Sequence, residues 1–256
     1  MTLKELFYKV KTLLNQKSID NSHQESLWIL QEIGNFSYAQ FILKENQEAP
    51  KPFTKKVLKM AQKRAKGHPL AYLLKNQEFA GFKFYVNSHV LIPRPETQGL
   101  LNWGVKNLKP QACVLEMGVG SGCFCVSLKK LRPDLTLWGS DISKKALEVA
   151  QKNANNLLDS HQKITFLQSN LFSKIKNQTF DGIFFNPPYL SKQDMKSRQK
   201  ELFFEPKKAL LGGKTGYEFY HQLATQAPLF LNPQGVVGVE IGIKMEEQVA
   251  QIFQKQ

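Results

Sequence analysis

Two short stretches of this chain carry residue types able to do chemistry. The first is Phe180-Asp181-Gly182-Ile183-Phe184-Phe185 followed by Asn186-Pro187-Pro188-Tyr189. The apolar run reads as a strand, and two successive prolines after it make a rigid bracket. The Asn186 side-chain oxygen and the Pro187 carbonyl can each accept one hydrogen of a flat NH₂ group. Tyr189 can stack on that group and hold it in line. An amide nitrogen is a poor nucleophile because its lone pair is delocalised into the carbonyl. Two acceptors that strengthen as positive charge develops on nitrogen stabilise the transition state of an alkylation there. A plain Asn-Pro turn is the bland alternative.

The second stretch makes that alternative less attractive. Glu116-Met117-Gly118-Val119-Gly120-Ser121-Gly122 follows a strand and opens a helix, so backbone N–H groups and close approach are available to a ligand. A dinucleotide fingerprint would place its third glycine at the position of Cys123. Here the third glycine comes early, and the acidic Glu116 would repel a pyrophosphate but suits an ammonium group. Asp141, ending Trp138-Gly139-Ser140-Asp141, can accept from two ribose hydroxyls, and it also suits a helix start before Ser143. Together these features favour S-adenosylmethionine over a nicotinamide cofactor.

Both stretches need a scaffold that brings them to one edge. From Cys113 onward, strand and helix alternate. Strands fit Val114–Met117, Leu135–Gly139, Ile164–Gln168, Gly182–Phe185 and Val236–Ile241. Helices fit Gly122–Leu131, Ser143–Leu157, Gly216–Ala227 and Met245–Phe253. This alternation predicts a parallel sheet with helices on both faces and ligands beyond the strands' carboxyl ends. Residues 1–75 read as helix: Leu3, Leu6, Phe7, Val10, Leu13 and Leu14 share a face behind the capping box Thr2-x-x-Glu5. A second box is expected at Ser22-x-x-Glu25 with Gly34 as C-cap, a short helix over Ser37–Lys44, and a fourth from about Pro52 to Lys66. Phe79, Phe82, Phe84, Val86, Val90 and Leu91 flank Gly81 and the turn Asn87-Ser88, which reads as a β-hairpin linker. After the prolines of residues 91–97, Glu96–Leu108 reads as helix. The expected organisation is a helical bundle over 1–75, the hairpin linker over 76–92 and an α/β domain over 93–256.

The totals restrict the setting. A chain of 256 residues, 42% hydrophobic, can bury a core without staples. The formal charge of +14 favours a polyanionic partner or a setting near one. It is spread evenly: residues 1–75 hold 13 Lys and Arg against 6 Asp and Glu, half of the surplus. Three clustered cysteines, Cys113, Cys123 and Cys125, point to a reducing compartment, and Cys123-x-Cys125 lacks the second ligand pair of a zinc site. No metal is expected. There is no signal-like start and no apolar run long enough for a membrane span, so a cytoplasmic protein without membrane association is expected.

Ile92-Pro93-Arg94-Pro95-Glu96-Thr97, Glu116-x-Gly118-x-Gly120-x-Gly122, Asn186-Pro187-Pro188-Tyr189 and Phe204-Glu205-Pro206 together resemble the release-factor glutamine N5-methyltransferases. The likeness runs from Arg64-x-x-Gly67-x-Pro69-x-x-Tyr72 to Glu240-Ile241-Gly242; the Asn-Pro-Pro-Tyr element alone is shared with adenine-N6 and guanine-N2 methyltransferases. The resemblance implies a Rossmann-like class I methyltransferase domain. It also implies N5-methylation of the glutamine in the Gly-Gly-Gln loop of class I peptide chain release factors, which would be the protein partner, with no stable nucleic-acid partner. S-adenosylmethionine would be held by Glu116, Gly118, Val119, Gly120, Ser121, Gly122, Asp141, Asn170, Leu171 and Asn186. The substrate would meet Asn186, Pro187, Pro188, Tyr189, Arg94 and Glu205, with Asn186, Pro187 and Tyr189 catalytic. The helical part would grip the release factor.

Three departures from the family pattern stand out. Gln98 replaces a Glu, and Asn170-Leu171 replace an Asp and an aromatic beside the adenine. The chain ends at Gln256, where the family continues with a further strand pair, so a five-strand sheet with an exposed fifth edge is expected. Two other readings remain open: a nucleic-acid base methyltransferase with the same bracket, and a weakly active binding module.

Overall fold

A computed structural model describes residues 1–254, which divide into two compact units, Met1–Lys75 and the remainder from Asn76. In the first unit, helices α1 (Leu3–Asn15), α2 (Ser22–Gly34), α3 (Tyr38–Lys44), α4 (Lys51–Ala65) and the short α5 (Leu70–Leu74) enclose a core. Leu6, Val10 and Leu14 of α1, Ile29 and Leu30 of α2, and Val57 and Ala61 of α4 are fully buried in it. The Thr2 box forms: Thr2 Oγ1 accepts from Glu5 N at 3.1 Å and Glu5 Oε2 from Thr2 N at 2.9 Å. The second expected box does not. Ser22 donates instead to Asn15 Oδ1, and Glu25 turns inward to accept from Arg64 Nε at 2.6 Å and Nη2 at 3.0 Å. The Ser22 N–H that the box would use is already bonded to Ile19 O at 3.1 Å, and the buried arginine fork takes up the carboxylate with two charge-assisted bonds. The box at this level belongs to Ser37 and Gln40. The left-handed cap of α2 is Asn35, at φ 49°, and Gly34 is its last helical residue. A side chain at Gly34 would run into the Phe36 ring, so glycine serves packing there.

The second unit begins with an antiparallel hairpin, β1 (Asn76–Phe79) and β2 (Phe82–Tyr85). Its two-residue turn is Ala80-Gly81, both at positive φ, the geometry that matches strand twist. The hairpin is therefore shorter than the 77–92 pattern suggests. Asn87-Ser88 form a separate turn in which His89 N donates to Asn87 Oδ1 at 2.9 Å.

Beyond α6 (Thr97–Asn107) come β3 (Cys113–Met117), α7 (Cys123–Leu131), β4 (Thr136–Asp141), α8 (Lys144–Leu157), β5 (Ile164–Gln168) and β6 (Phe180–Phe185). Then follow a short parallel pair, β7 (Leu190–Ser191) and β8 (Leu211–Gly213), with α9 (Asp194–Ser197) and α10 (Lys207–Leu210) between them. The chain continues through α11 (Glu218–Gln226), β9 (Leu231–Val239) and α12 (Glu246–Gln254). The main sheet is parallel throughout, in the order β5-β4-β3-β6-β9. Alternate residues feed opposite faces: Val114 and Phe184 pack with Leu101, Phe124 and Leu128, whereas Leu115, Met117, Ile183 and Phe185 pack with Leu223. Among the described residues β9 is an edge of this sheet. It starts earlier than the pattern Val236–Ile241 indicates, because Leu231 pairs with Phe180 across a register shift. No described helix is long and apolar enough to cross a membrane.

Candidate active site

A cavity of about 680 Å³ opens at the carboxyl ends of β3, β4 and β6, where doubly wound sheets bind ligands. Its wall includes Arg94, Glu116, Gly118, Val119, Gly120, Ser121, Asp141, Asn170, Leu171, Asn186 and Pro188 from the sequence-based set. The structure thus gathers residues separated by nearly a hundred positions.

The glycine loop is shaped by positive φ at Gly118 (64°) and Gly120 (52°). A side chain at Gly118 would meet the Phe185 ring at 2.9 Å, so the loop can lie on that ring only with glycine there. Val119 N donates to Ser140 O at 3.0 Å and Gly120 N to Asp141 Oδ2 at 3.0 Å, tying the loop to the end of β4. Asp141 Oδ1 accepts from Ser143 N at 2.8 Å, while Ser143, not Asp141, caps α8. Each Asp141 oxygen keeps a free lone pair for a ligand hydroxyl. Burial holds its pKa above the usual carboxylate value. Gly122 does not line the cavity; it caps α7 at φ 77°, and a side chain there would meet Ala150 at 3.1 Å. Its glycine lets α8 approach closely.

Glu116 is 8% exposed, and its Oε2 accepts from Cys125 N at 3.0 Å. Burial pushes its pKa up to about 8; the Cys125 hydrogen bonds oppose this and the Asp141 charge adds to it. Beside it Cys123 also lines the cavity, its thiol pushed up to about 12 by burial and by Glu116, which makes it a poor nucleophile.

At the other wall Asn186 leaves the end of β6, and Glu240 leaves the neighbouring end of β9, where Glu240 N donates to Phe185 O at 3.0 Å. Thr97, the first residue of α6, is 5% exposed and donates from Oγ1 to Glu240 Oε2 at 2.6 Å. Asn186 Nδ2 donates to the same Thr97 oxygen at 3.4 Å, and burial raises the pKa of the Glu240 carboxyl. Pro187 is buried, and neither it nor Tyr189 lines the cavity. The Tyr189 ring lies over Gly242, where a side chain would meet it at 3.1 Å. The bracket's backbone is walled by two more glycines: side chains at Gly212 and Gly216 would come within 2.5 Å of Pro188 O and 2.3 Å of Tyr189 O. Glu218 holds this wall. Burial pushes its pKa up, yet backbone donors led by Thr215, with Lys214 and Gly216, bring it down to about 2.

Glu205, 6% exposed, does not line the cavity either. One oxygen takes the Arg94 guanidinium and the other accepts from Ile92 N at 3.0 Å, so it fastens the proline-rich segment that carries Arg94 to the wall. Sequence reasoning assigned no role to Thr97, Glu240, Gly212, Gly216, Glu218 or Ile142. Ile142 is 49% exposed on the cavity wall directly after Asp141, an apolar surface opposite Leu171 in kind. An apolar residue following a strand-ending carboxylate was the available signal for Ile142. The run Leu211-Gly212-Gly213-Lys214-Thr215-Gly216, dense in glycine, was the signal for the wall.

Known proteins resemble this chain in sequence and in fold. Residues 100–217 match the family model of the methyltransferase small domain, and residues 5–74 match that of the PrmC N-terminal domain. A release factor glutamine methyltransferase of Geobacter sulfurreducens is 32% identical over 255 residues, covering 99% of this chain and 89% of the relative. One from Streptococcus pneumoniae is 33% identical over 235 residues, covering 90% and 83%. Among solved structures, a methyltransferase from Pyrococcus furiosus superposes with a TM-score of 0.52 at 20% identity, covering 69% of this chain and 79% of that one, which shows the fold alone.

Proposed function

This chain belongs to the release factor glutamine methyltransferase family, and on that footing we propose that it transfers a methyl group from S-adenosylmethionine to the N5 nitrogen of the Gly-Gly-Gln glutamine of class I release factors. The observation that carries the reading is Asn186: its NH₂ end is engaged by Thr97, so its oxygen is the end left for a ligand in the cavity. A site offering an acceptor there takes an N–H donor such as a glutamine amide.

The residues present fit the cofactor. A buried Glu116 carboxyl beside the glycine loop suits an ammonium group, Asp141 retains lone pairs for ribose hydroxyls, and Leu171 and Ile142 offer apolar surface to a base. S-adenosylmethionine supplies a methyl carbon activated by a sulfonium. Asn186 Oδ1 accepts one substrate N–H, and the backbone carbonyl of Pro187, whose ring lies buried off the cavity, accepts the other. This holds the amide plane so that the nitrogen lone pair, perpendicular to it, faces the methyl carbon, and the new N–C bond forms as the carbon–sulfur bond breaks and one N–H proton is lost. Both acceptors gain strength as the nitrogen becomes positive. Pro188 and Tyr189 shape the bracket, and Arg94, fastened by Glu205, holds the segment that borders it. The helical unit grips the release factor.

Incubation with tritiated S-adenosylmethionine tests this. Label should appear in release factor at its Gly-Gly-Gln glutamine; label in RNA or DNA but not in release factor would refute the reading. Asn186→Ala should lower turnover by ~10²-fold or more, the scale for losing one transition-state hydrogen bond.

A further inference from the structure

We propose that Thr97 and Glu240 are positioning residues that fix which end of the Asn186 side-chain amide faces the cavity, and so set the site to receive an NH₂ group. The inference rests on the reading of Asn186 as an acceptor and extends it to two residues packed beside it, Thr97 on the cavity wall and Glu240 behind it.

With Glu240 ionised, the geometry admits one arrangement of hydrogens. An ionised carboxylate only accepts, so the 2.6 Å contact between Thr97 Oγ1 and Glu240 Oε2 commits the hydroxyl proton to Glu240. The Thr97 oxygen then has lone pairs alone to offer Asn186. An N–H of Asn186 satisfies them. With the side chain flipped, Asn186 Oδ1 would face lone pairs of Thr97 and the charge of Glu240, with no hydrogen between. Its NH₂ would face the cavity and meet the NH₂ of a substrate amide, donor against donor. An Asn has no intrinsic preference between the flips, because the two ends have the same shape. The preference comes from a proton direction imposed by the carboxylate.

Three elements hold the relay in place. Asn186 and Glu240 leave adjacent parallel strands, paired through Phe185 and Val239, and Glu240 N is bonded to Phe185 O. Thr97 sits at the start of α6, buried, with its hydroxyl between them. The residues lie 89 and 143 positions apart in the pairs Asn186–Thr97 and Thr97–Glu240.

The test uses the 256-residue chain and four variants, Asn186→Asp serving only to assign the spectrum. Thr97→Val keeps the shape and removes the relay oxygen, Glu240→Gln keeps the shape but adds a donor, and Thr97→Ser restores the hydroxyl. With release factor as substrate, Thr97→Val and Glu240→Gln should lose on the order of 10–100-fold in kcat, the scale for misaligned reacting groups. KM for S-adenosylmethionine and the melting temperature should stay near the unaltered protein's, and Thr97→Ser should recover most of the rate. A kcat unchanged in Thr97→Val and Glu240→Gln, or Thr97→Ser as slow as Thr97→Val, would overturn the proposal. A second readout does not depend on the substrate. In ¹⁵N spectra the Asn186 NH₂ pair, identified by its loss in Asn186→Asp, should be shifted and slowly exchanging. In Thr97→Val and Glu240→Gln it should move to solvent-like positions. If it does not move, the positioning role is wrong; if it moves while the unaltered protein methylates no release factor, the substrate reading is wrong and the positioning role stands.

Discussion

The two units each bury a glutamate, and they treat it in opposite ways. In the helical unit, Glu25 takes two N–H groups on one edge of the Arg64 guanidinium, a pair sealed at 9% and 5% exposure. In the second unit, Glu116 is as deeply buried, yet it is held by the backbone N–H of Cys125, with Asp141 adding a second negative charge. The first arrangement is complete within the fold. The second leaves a carboxyl whose ionised form waits for a cation from outside. Buried charge that the fold has paired marks architecture, and buried charge that it has not marks a site.

Breaking the finished pair should cost most. Glu25→Ala strands the Arg64 guanidinium without its carboxylate and should lower stability by about 3–5 kcal/mol in urea unfolding. A loss under about 1 kcal/mol would show that the pair is not what closes the bundle.

Next in size is the wall behind the bracket. Gly216→Ala forces a methyl against Tyr189 O at a φ of 94°, and should cost about 1–3 kcal/mol of stability and a greater share of turnover. Unfolding curves beside initial rates check it: a change confined to stability would detach this wall from the bracket.

The unfinished carboxyl gives the subtler effect. In the folded protein the Glu116 pKa is raised to about 8 from 4.5. The folded state then holds a proton that the unfolded state has lost, so stability contributed by Glu116 is full below pH 4.5 and falls as pH rises through 8. Glu116→Gln should flatten that fall and raise the melting temperature at pH 8, by about 2–4 °C for each kcal/mol relieved. Binding of S-adenosylhomocysteine, which carries an ammonium group, should tighten between pH 6 and 8 in the unaltered protein and lose that trend in the variant. Calorimetry across the pH series measures both; parallel curves for the two proteins would place the ammonium elsewhere.

The smallest effect belongs to Glu218, whose carboxyl is held down to about 2 and is partly exposed. Its contribution is full above pH 4.5 and is lost only as pH falls through about 2. Glu218→Gln should therefore soften the loop of residues 213–216 at neutral pH, seen as faster amide exchange at Thr215 and Gly216, with little change in melting temperature.

What could be read from the sequence divides along local and distant lines. The glycine loop, the strand into Asn186 and the Thr2 cap follow from neighbours within a few residues, and the structure has them where the pattern puts them. The Ser22 cap fails because Glu25 answers to Arg64, 39 positions away, while the Ser22 N–H is taken by Ile19 O. The hairpin turn falls on Ala80-Gly81, since strand twist selects two positive-φ residues over the more polar Asn87-Ser88. The Thr97–Glu240 contact is invisible locally: it arises only when β6 and β9 lie side by side. Likewise Gly122 belongs to the glycine motif by spacing, but what it accommodates is Ala150 of α8.

The most direct measurement is mass spectrometry of a class I release factor before and after incubation with this protein and S-adenosylmethionine. A single added methyl on the glutamine of the Gly-Gly-Gln loop, absent when Asn186→Ala replaces the unaltered protein, is the expected result. A release factor of unchanged mass, or a methyl on another residue, would contradict the account.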